Sequence, residues 1–86
     1  MAKNIKVVRA KKEPFKMILD GLQNFIIRPG DECYRAGNTL FIREYEARYT
    51  GSVVLAEVVS ICAGADGLKG GYQIVSFDVV WSYQAD

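Results

Sequence analysis

The chain predicts an α+β fold, mostly β, of five to six strands with one short helix. Apolar residues alternate with a period of two across most of it, as in Thr39–Tyr45 and Tyr72–Trp81. Only one stretch, from about Glu13, gathers its apolar residues Phe15, Ile18 and Leu19 on a single helical face. Turn-forming sequences, Pro29-Gly30-Asp31 and Ala36-Gly37-Asn38, break the runs at short intervals. So many strands in 86 residues would expose long apolar edges if left flat, so closure into a small β-barrel with the helix over one opening is expected.

Ile5–Ala10 reads as the first strand. The helix follows, with Pro14 suited to its first position and Gly21 to its end. Phe25–Arg28 is a β-prone run stopped by the Pro29-Gly30-Asp31 turn. A short segment around Cys33 and Tyr34 leads to the strand Thr39–Tyr45, whose faces are Leu40/Ile42/Glu44 and Thr39/Phe41/Arg43/Tyr45. Tyr49-Thr50-Gly51 reads as a turn, and Ser52–Cys62 as a long strand apolar on both faces. Gly64, Gly67, Gly70 and Gly71 mark a flexible loop before the last strand, Tyr72–Trp81, and residues 82–86 form a polar tail. The whole of 1–86 is expected to be one domain, burying roughly 60–65% of its unfolded surface.

Half of the residues are apolar, yet no run approaches the ~18 needed to span a membrane, and the N-terminus has no signal-like apolar stretch, so a cytoplasmic protein is expected. Cys33 and Cys62 lack metal-site spacing and no histidine is present, so reduced, metal-free thiols packed as small apolar residues are expected. The absence of histidine also excludes Ser-His and Cys-His catalysis. Net charge is only +1, but residues 1–20 hold six basic residues against two acidic ones, while residues 49–86 hold one against four. Any attraction for a polyanion is therefore local. Gly67-Leu68-Lys69-Gly70-Gly71 lacks the spacing of a phosphate-binding loop. Trp81 reads as a core or edge packing residue.

The stretch Gly21-Leu22-Gln23-Asn24-Phe25-Ile26-Ile27-Arg28 resembles the Gly-x-Lys-x-x-Glu-x-Arg signature of the ASCH branch of the PUA-like superfamily. Gly21 and Arg28 match, while Gln23 and Ile26 replace the lysine and the glutamate. Tyr34-x-x-Gly37, Arg43-Glu44-Tyr45, Tyr49-Thr50-Gly51 and Gly67-Leu68-x-x-Gly71-Tyr72 extend the likeness over about residues 11–77, towards a small bacterial and phage branch without established activity. The resemblance implies a PUA-like (ASCH-type) mixed β-barrel with a cleft between the helix-to-strand connection and neighbouring strands, and RNA or modified-nucleotide binding. Some relatives are amidohydrolases acting on N4-acylated cytidines through a lysine, a threonine and a glutamate; Gln23 and Asn24 occupy the matching lysine and threonine positions, and an amide is neither nucleophile nor base.

These features favour a non-enzymatic PUA-like binding module for RNA or a (modified) nucleotide, with no catalytic residue, no cofactor and no metal. Arg28, at the retained cationic position, suits bidentate binding of a phosphate, unless an ion pair with Asp31 or Glu44 occupies it. Arg43 and Tyr45 share a strand face on which a base can stack beside a guanidinium. Lys16 adds electrostatic attraction, and Thr50 can donate to phosphate. The alternatives are a protein-interaction or regulatory domain, in which these residues are structural, and a degenerate N4-acylcytidine amidohydrolase using Lys16 or Lys69.

Overall fold

The computed structural model describes residues 4–63 and 70–85. Its elements are β1 (Ile5–Ala10), α1 (Lys12–Leu19), β2 (Phe25–Pro29), β3 (Thr39–Tyr45), β4 (Tyr49–Ala63) and β5 (Tyr72–Tyr83). The strands form one mixed sheet in the order β1-β3-β4-β5-β2, with β1 parallel to β3 and every other pair antiparallel. The sheet curls into a half-barrel whose two edges are β1 and β2. The expected α+β, mostly β fold with one short helix is thus observed, with five strands.

The helix fills the hollow of the half-barrel. Phe15 and Ile18, one turn apart, are almost wholly buried against Val8, Leu40, Ile42, Val54, Val75 and Phe77. Lys11 caps the helix without a side-chain bond; instead Glu46, from the β3–β4 turn, accepts a hydrogen bond from the Lys12 N–H at 2.9 Å. A carboxylate there satisfies an otherwise orphan donor and complements the helix dipole. At the other end Gly21 has φ +76°, and the Gly21 and Leu22 N–H groups donate to the carbonyls of Ile18 and Met17. This Schellman-type closure needs a left-handed residue, which explains the glycine.

Leu40/Ile42 and Thr39/Phe41/Arg43/Tyr45 occupy opposite faces of β3 as expected, the first pair buried. Three boundaries differ. The helix starts at Lys12, so Pro14 lies within the first turn rather than at its first residue. Tyr49-Thr50-Gly51 belongs to β4 and not to a turn; the reversal is at Glu46–Arg48, where Ala47 has φ 64° and the Glu46 N–H donates to the Arg48 carbonyl at 2.9 Å. β5 runs through Ser82 and Tyr83, shortening the expected tail. Gly64, Gly67 and Lys69 of the expected glycine-rich loop, and Asp86, lie outside the described residues.

Two register shifts on β4 and β5, at Leu55/Ala56 and Val58/Ser60, change the phase of alternation within single strands. On β4, Val54, Ala56 and Val58 point to the core, and after the second shift Ile61 packs against it. The bulge therefore explains how Ile61, of opposite parity to Val54, Ala56 and Val58, reaches the same core, while Val53 and Leu55 stay on the other face. Cys33 and Cys62 are unpaired and exposed, not packed as small apolar side chains: the first lies in the β2–β3 connection and the second near the end of β4. No helix among the described residues is long and apolar enough to cross a membrane, and none of their acidic, histidine or cysteine side chains form a group of three that could hold a metal ion.

Candidate nucleic-acid interface

The strand register arranges the face turned away from α1 into cross-strand rows. Arg9, Arg43, Val53 and Tyr83 form one row across β1, β3, β4 and β5; Val7, Phe41, Leu55 and Trp81 form the next. At the end of the face nearest the β3–β4 turn, Tyr45 and Tyr49 are paired, with ring centroids 4.9 Å apart and planes at 78°.

The two arginines lie on these rings. The Arg43 guanidinium carbon is 3.6 Å from the Tyr49 ring centroid, and that of Arg9 is 4.5 Å from Tyr45 and 5.6 Å from Tyr49. Arg9 Nε also donates to the Tyr49 hydroxyl at 3.1 Å. Each guanidinium is thus held over the negative face of a ring, an attraction of about 0.5–1 kcal/mol at an exposed site. Among the described residues neither arginine has an ion-pair partner. A hollow of about 510 Å³ opens beside the stack, lined by Arg9, Ala10, Lys11, Tyr45, Glu46 and Ala47.

The remaining expected site residues lie elsewhere. Arg28 is on the helix side of β2, paired in register with buried Gln73. Its Nε and Nη2 donate to the two carboxylate oxygens of Glu32 at 2.9 and 2.7 Å, and Tyr34 donates to Glu32 at 2.6 Å. The partner is therefore Glu32, not Asp31 or Glu44, because the Pro29–Glu32 turn folds the chain back and brings residue 32 beside residue 28. The hydrogen bond from Arg28, then that from Tyr34, hold the Glu32 carboxyl at about 2. Burial first, then the bond to Glu32, push the Tyr34 hydroxyl up to about 12. Arg28 also borders, with Gln23, Ile26 and Val8, a cavity of about 210 Å³ between the two sheet edges.

Lys16 and Glu44 line a separate cavity of about 410 Å³ on the helix side, and Lys16 pairs with Asp20 at 3.7 Å. Thr50 donates to Glu44 at 2.7 Å. Of the five expected residues, Arg43 and Tyr45 thus share the helix-free face, Lys16 and Thr50 are tied to carboxylates on other sides of the fold, and Arg28 is clasped by Glu32.

Arg9, Tyr49, Trp81 and Tyr83 were not among the expected site residues. Arg9 and Tyr49 are joined to Arg43 and Tyr45 only by strand pairing. Trp81 is about half exposed and not a core residue, because one extra residue at Val80 shifts the register: Val79 opposes Ala56 but Trp81 opposes Leu55. Strict alternation from buried Phe77 would send residues 81 and 83 inward; the bulge sends them to the helix-free face.

The fold and this face define a small mixed-sheet domain that carries an arginine–tyrosine surface on the open side of its sheet. Residues 4–77 match the family described as a domain of unknown function (DUF3850), and the chain belongs to that family. No curated protein matches the chain.

Proposed function

We propose that the protein is a non-enzymatic binding module for RNA or a nucleotide, with the helix-free face of the sheet as its contact surface. The observation that carries this reading is the direct opposition of Arg9 and Arg43 across β1 and β3, with no ion-pair partner for either among the described residues. Like charges directly opposite on a sheet are destabilising. A bound phosphate turns that repulsion into shared attraction, and the guanidiniums are already oriented by Tyr45 and Tyr49. Phe41, Trp81 and Tyr83 on the same face offer surfaces on which unpaired bases stack, worth about 1–3 kcal/mol per base.

A PUA-like, ASCH-type affiliation belongs to this reading and rests on Gly21, Arg28 and the motifs that follow them in sequence. The exposed, unpaired thiols of Cys33 and Cys62 fit the reducing cytoplasm of a bacterium or an infected cell.

The test is a fluorescence-anisotropy titration with short labelled single-stranded and hairpin RNAs at two salt concentrations. Binding should weaken with salt at a slope of about −0.7 per neutralised phosphate on single strands. Arg9→Ala and Arg43→Ala should weaken binding and flatten the slope, while Arg28→Ala should affect folding stability more than affinity. A protein partner is favoured by one feature: β5 extends past the end of β2, with Val79 and Val80 exposed. Absence of RNA binding at low salt would move the assignment to that partner.

A further inference from the structure

Arg9 and Arg43 are fixed by different means to the same ring. The Arg43 guanidinium carbon lies 3.6 Å from the Tyr49 centroid, in face contact, while that of Arg9 lies 5.6 Å from it and Arg9 Nε donates to the Tyr49 hydroxyl. Two cations held against one tyrosine, on residues directly opposed across β1 and β3, are close enough for a single small anion to reach both. Stacking uses only the flat face of Arg43 and leaves its N–H rim for other acceptors, and the bond from Nε leaves Arg9 its two Nη groups. Among the described residues no other hydrogen bond or ion pair engages either guanidinium. Arg9 is exposed and Arg43 is half-buried, so both can be reached from solvent.

The charge around the pair is positive. Lys11 lines the adjoining hollow together with Arg9 and Tyr45. Glu46 is the carboxylate of that hollow, and its Oε2 accepts from the Lys12 N–H, which turns its charge to the start of α1. Glu44 lies on the helix side, where Thr50 donates to it. Arg9, Arg43 and Lys11 against Glu46 leave this corner of the fold with an excess of two positive charges.

We propose that this corner binds a terminal phosphate, the monoester at the end of an RNA chain or on a free nucleotide, in preference to the internal diesters of a strand. This rests on the reading of the helix-free face as an RNA or nucleotide surface. A guanidinium donates through a planar fork of N–H groups to two oxygens at once. An internal diester has two non-bridging oxygens and a single negative charge, which one such fork satisfies. A monoester has three acceptor oxygens and a charge of about −1.5 to −2 at pH 7. It therefore serves both guanidiniums together and matches the positive excess around them.

The test is competition against a labelled single-stranded RNA, followed by anisotropy. The competitors are one RNA sequence with a 5′-phosphate, a 3′-phosphate or neither, and adenosine 5′-monophosphate beside adenosine. A phosphorylated form should bind about ten-fold more tightly than its hydroxyl counterpart, the gain expected of one added hydrogen-bonded contact between charged groups. Preference for the 5′ end, the 3′ end or the mononucleotide identifies the source of the monoester, and each bears the assignment out. Arg9→Gln, and Arg43→Lys, which keeps the charge but loses the planar fork, should each reduce the preference to about two-fold or less. Equal affinity for phosphorylated and unphosphorylated forms, with RNA still bound, overturns the terminal-phosphate site and leaves the RNA surface standing. A preference unchanged in both variants overturns it as well. No binding of any RNA or nucleotide at low salt identifies a failure of the underlying functional reading, and the terminal-phosphate site falls with it.

Discussion

Arg9 and Arg43 are direct partners across the parallel β1–β3 pair, and each guanidinium rests on a tyrosine of the β3–β4 reversal. The arrangement combines two cation–ring attractions with one repulsion, and among the described residues neither arginine has an ion-pair partner. Its balance therefore depends on ionic strength. Replacing Arg9 by glutamine should change stability by no more than about 0.5 kcal/mol, because repulsion is removed along with stacking. The wild type should gain stability from added salt, which screens the two charges, while Arg9→Gln gains less. Thermal denaturation at low and high salt measures this; parallel responses of the two proteins would show that the guanidiniums do not repel.

Glu32 joins Arg28 and Tyr34 at the base of β2, and its carboxyl is held at about 2 against an ordinary 4.5, mainly by the bond from Arg28. A carboxylate with a lowered folded-state pKa contributes stability above its unfolded value and loses it as pH falls through the folded one. Both side chains are about one-third exposed, so solvent screening leaves the pair worth about 1 kcal/mol. Glu32→Gln should be less stable than the wild type by about that amount at neutral pH. The gap should close between pH 4.5 and about 2. A gap that persists unchanged at pH 2 would assign the loss to packing instead of charge.

Glu46 connects the β3–β4 reversal to the start of α1 through the Lys12 N–H. Since Lys11 supplies no side-chain cap, Glu46→Ala leaves that donor to water. The expected loss is about 1 kcal/mol, typical of a removed cap. For a domain of this size that corresponds to a drop of about 4–8 °C in Tm. Glu46→Gln keeps an acceptor and should recover part of it. Equal melting temperatures for all three proteins would mean the contact adds nothing to folding.

The sequence made the buried side of the sheet easier to read than its open side, for a physical reason. Leu40 and Ile42 on β3, and Phe15 and Ile18 on α1, follow unbroken periods, and Gly21 marks a helix end through its backbone requirement. Trp81 and Tyr83 sit beyond a bulge, where a single inserted residue reverses every later side chain, and no residue type at Val79 or Val80 announces it. Arg9 meets Arg43 only through the pairing of β1 with β3, and that pairing brings it to the Tyr49 hydroxyl, 40 residues away. The Arg28 partner was missed for a smaller reason: Asp31 and Glu32 are neighbours, and the geometry of the turn decides which of them faces back.

Gln73 holds that turn in place and gives the sharpest test of the polar cluster. Its side chain is only 6% exposed, and its Nε2 donates to the carbonyls of Pro29 at 2.8 Å and Glu32 at 2.7 Å. Glutamate has nearly the same shape but, when ionised, no proton to donate. Gln73→Glu therefore sets a buried carboxylate against two carbonyl oxygens and should cost about 2–3 kcal/mol at neutral pH, where an unmet buried partner is most expensive. Burial and the two oxygens both favour the protonated acid, so the pKa of the new carboxyl is raised in the folded state. A raised folded-state pKa contributes stability below the unfolded value and loses it as pH rises. The variant should accordingly regain stability on mild acidification, where its protonated oxygen can donate to one of the carbonyls, over a range in which the wild-type Glu32 pair still holds. Urea denaturation of both proteins at pH 7 and pH 4.5 decides it: Gln73→Glu as stable as the wild type at pH 7 would show that the two hydrogen bonds do not hold the turn.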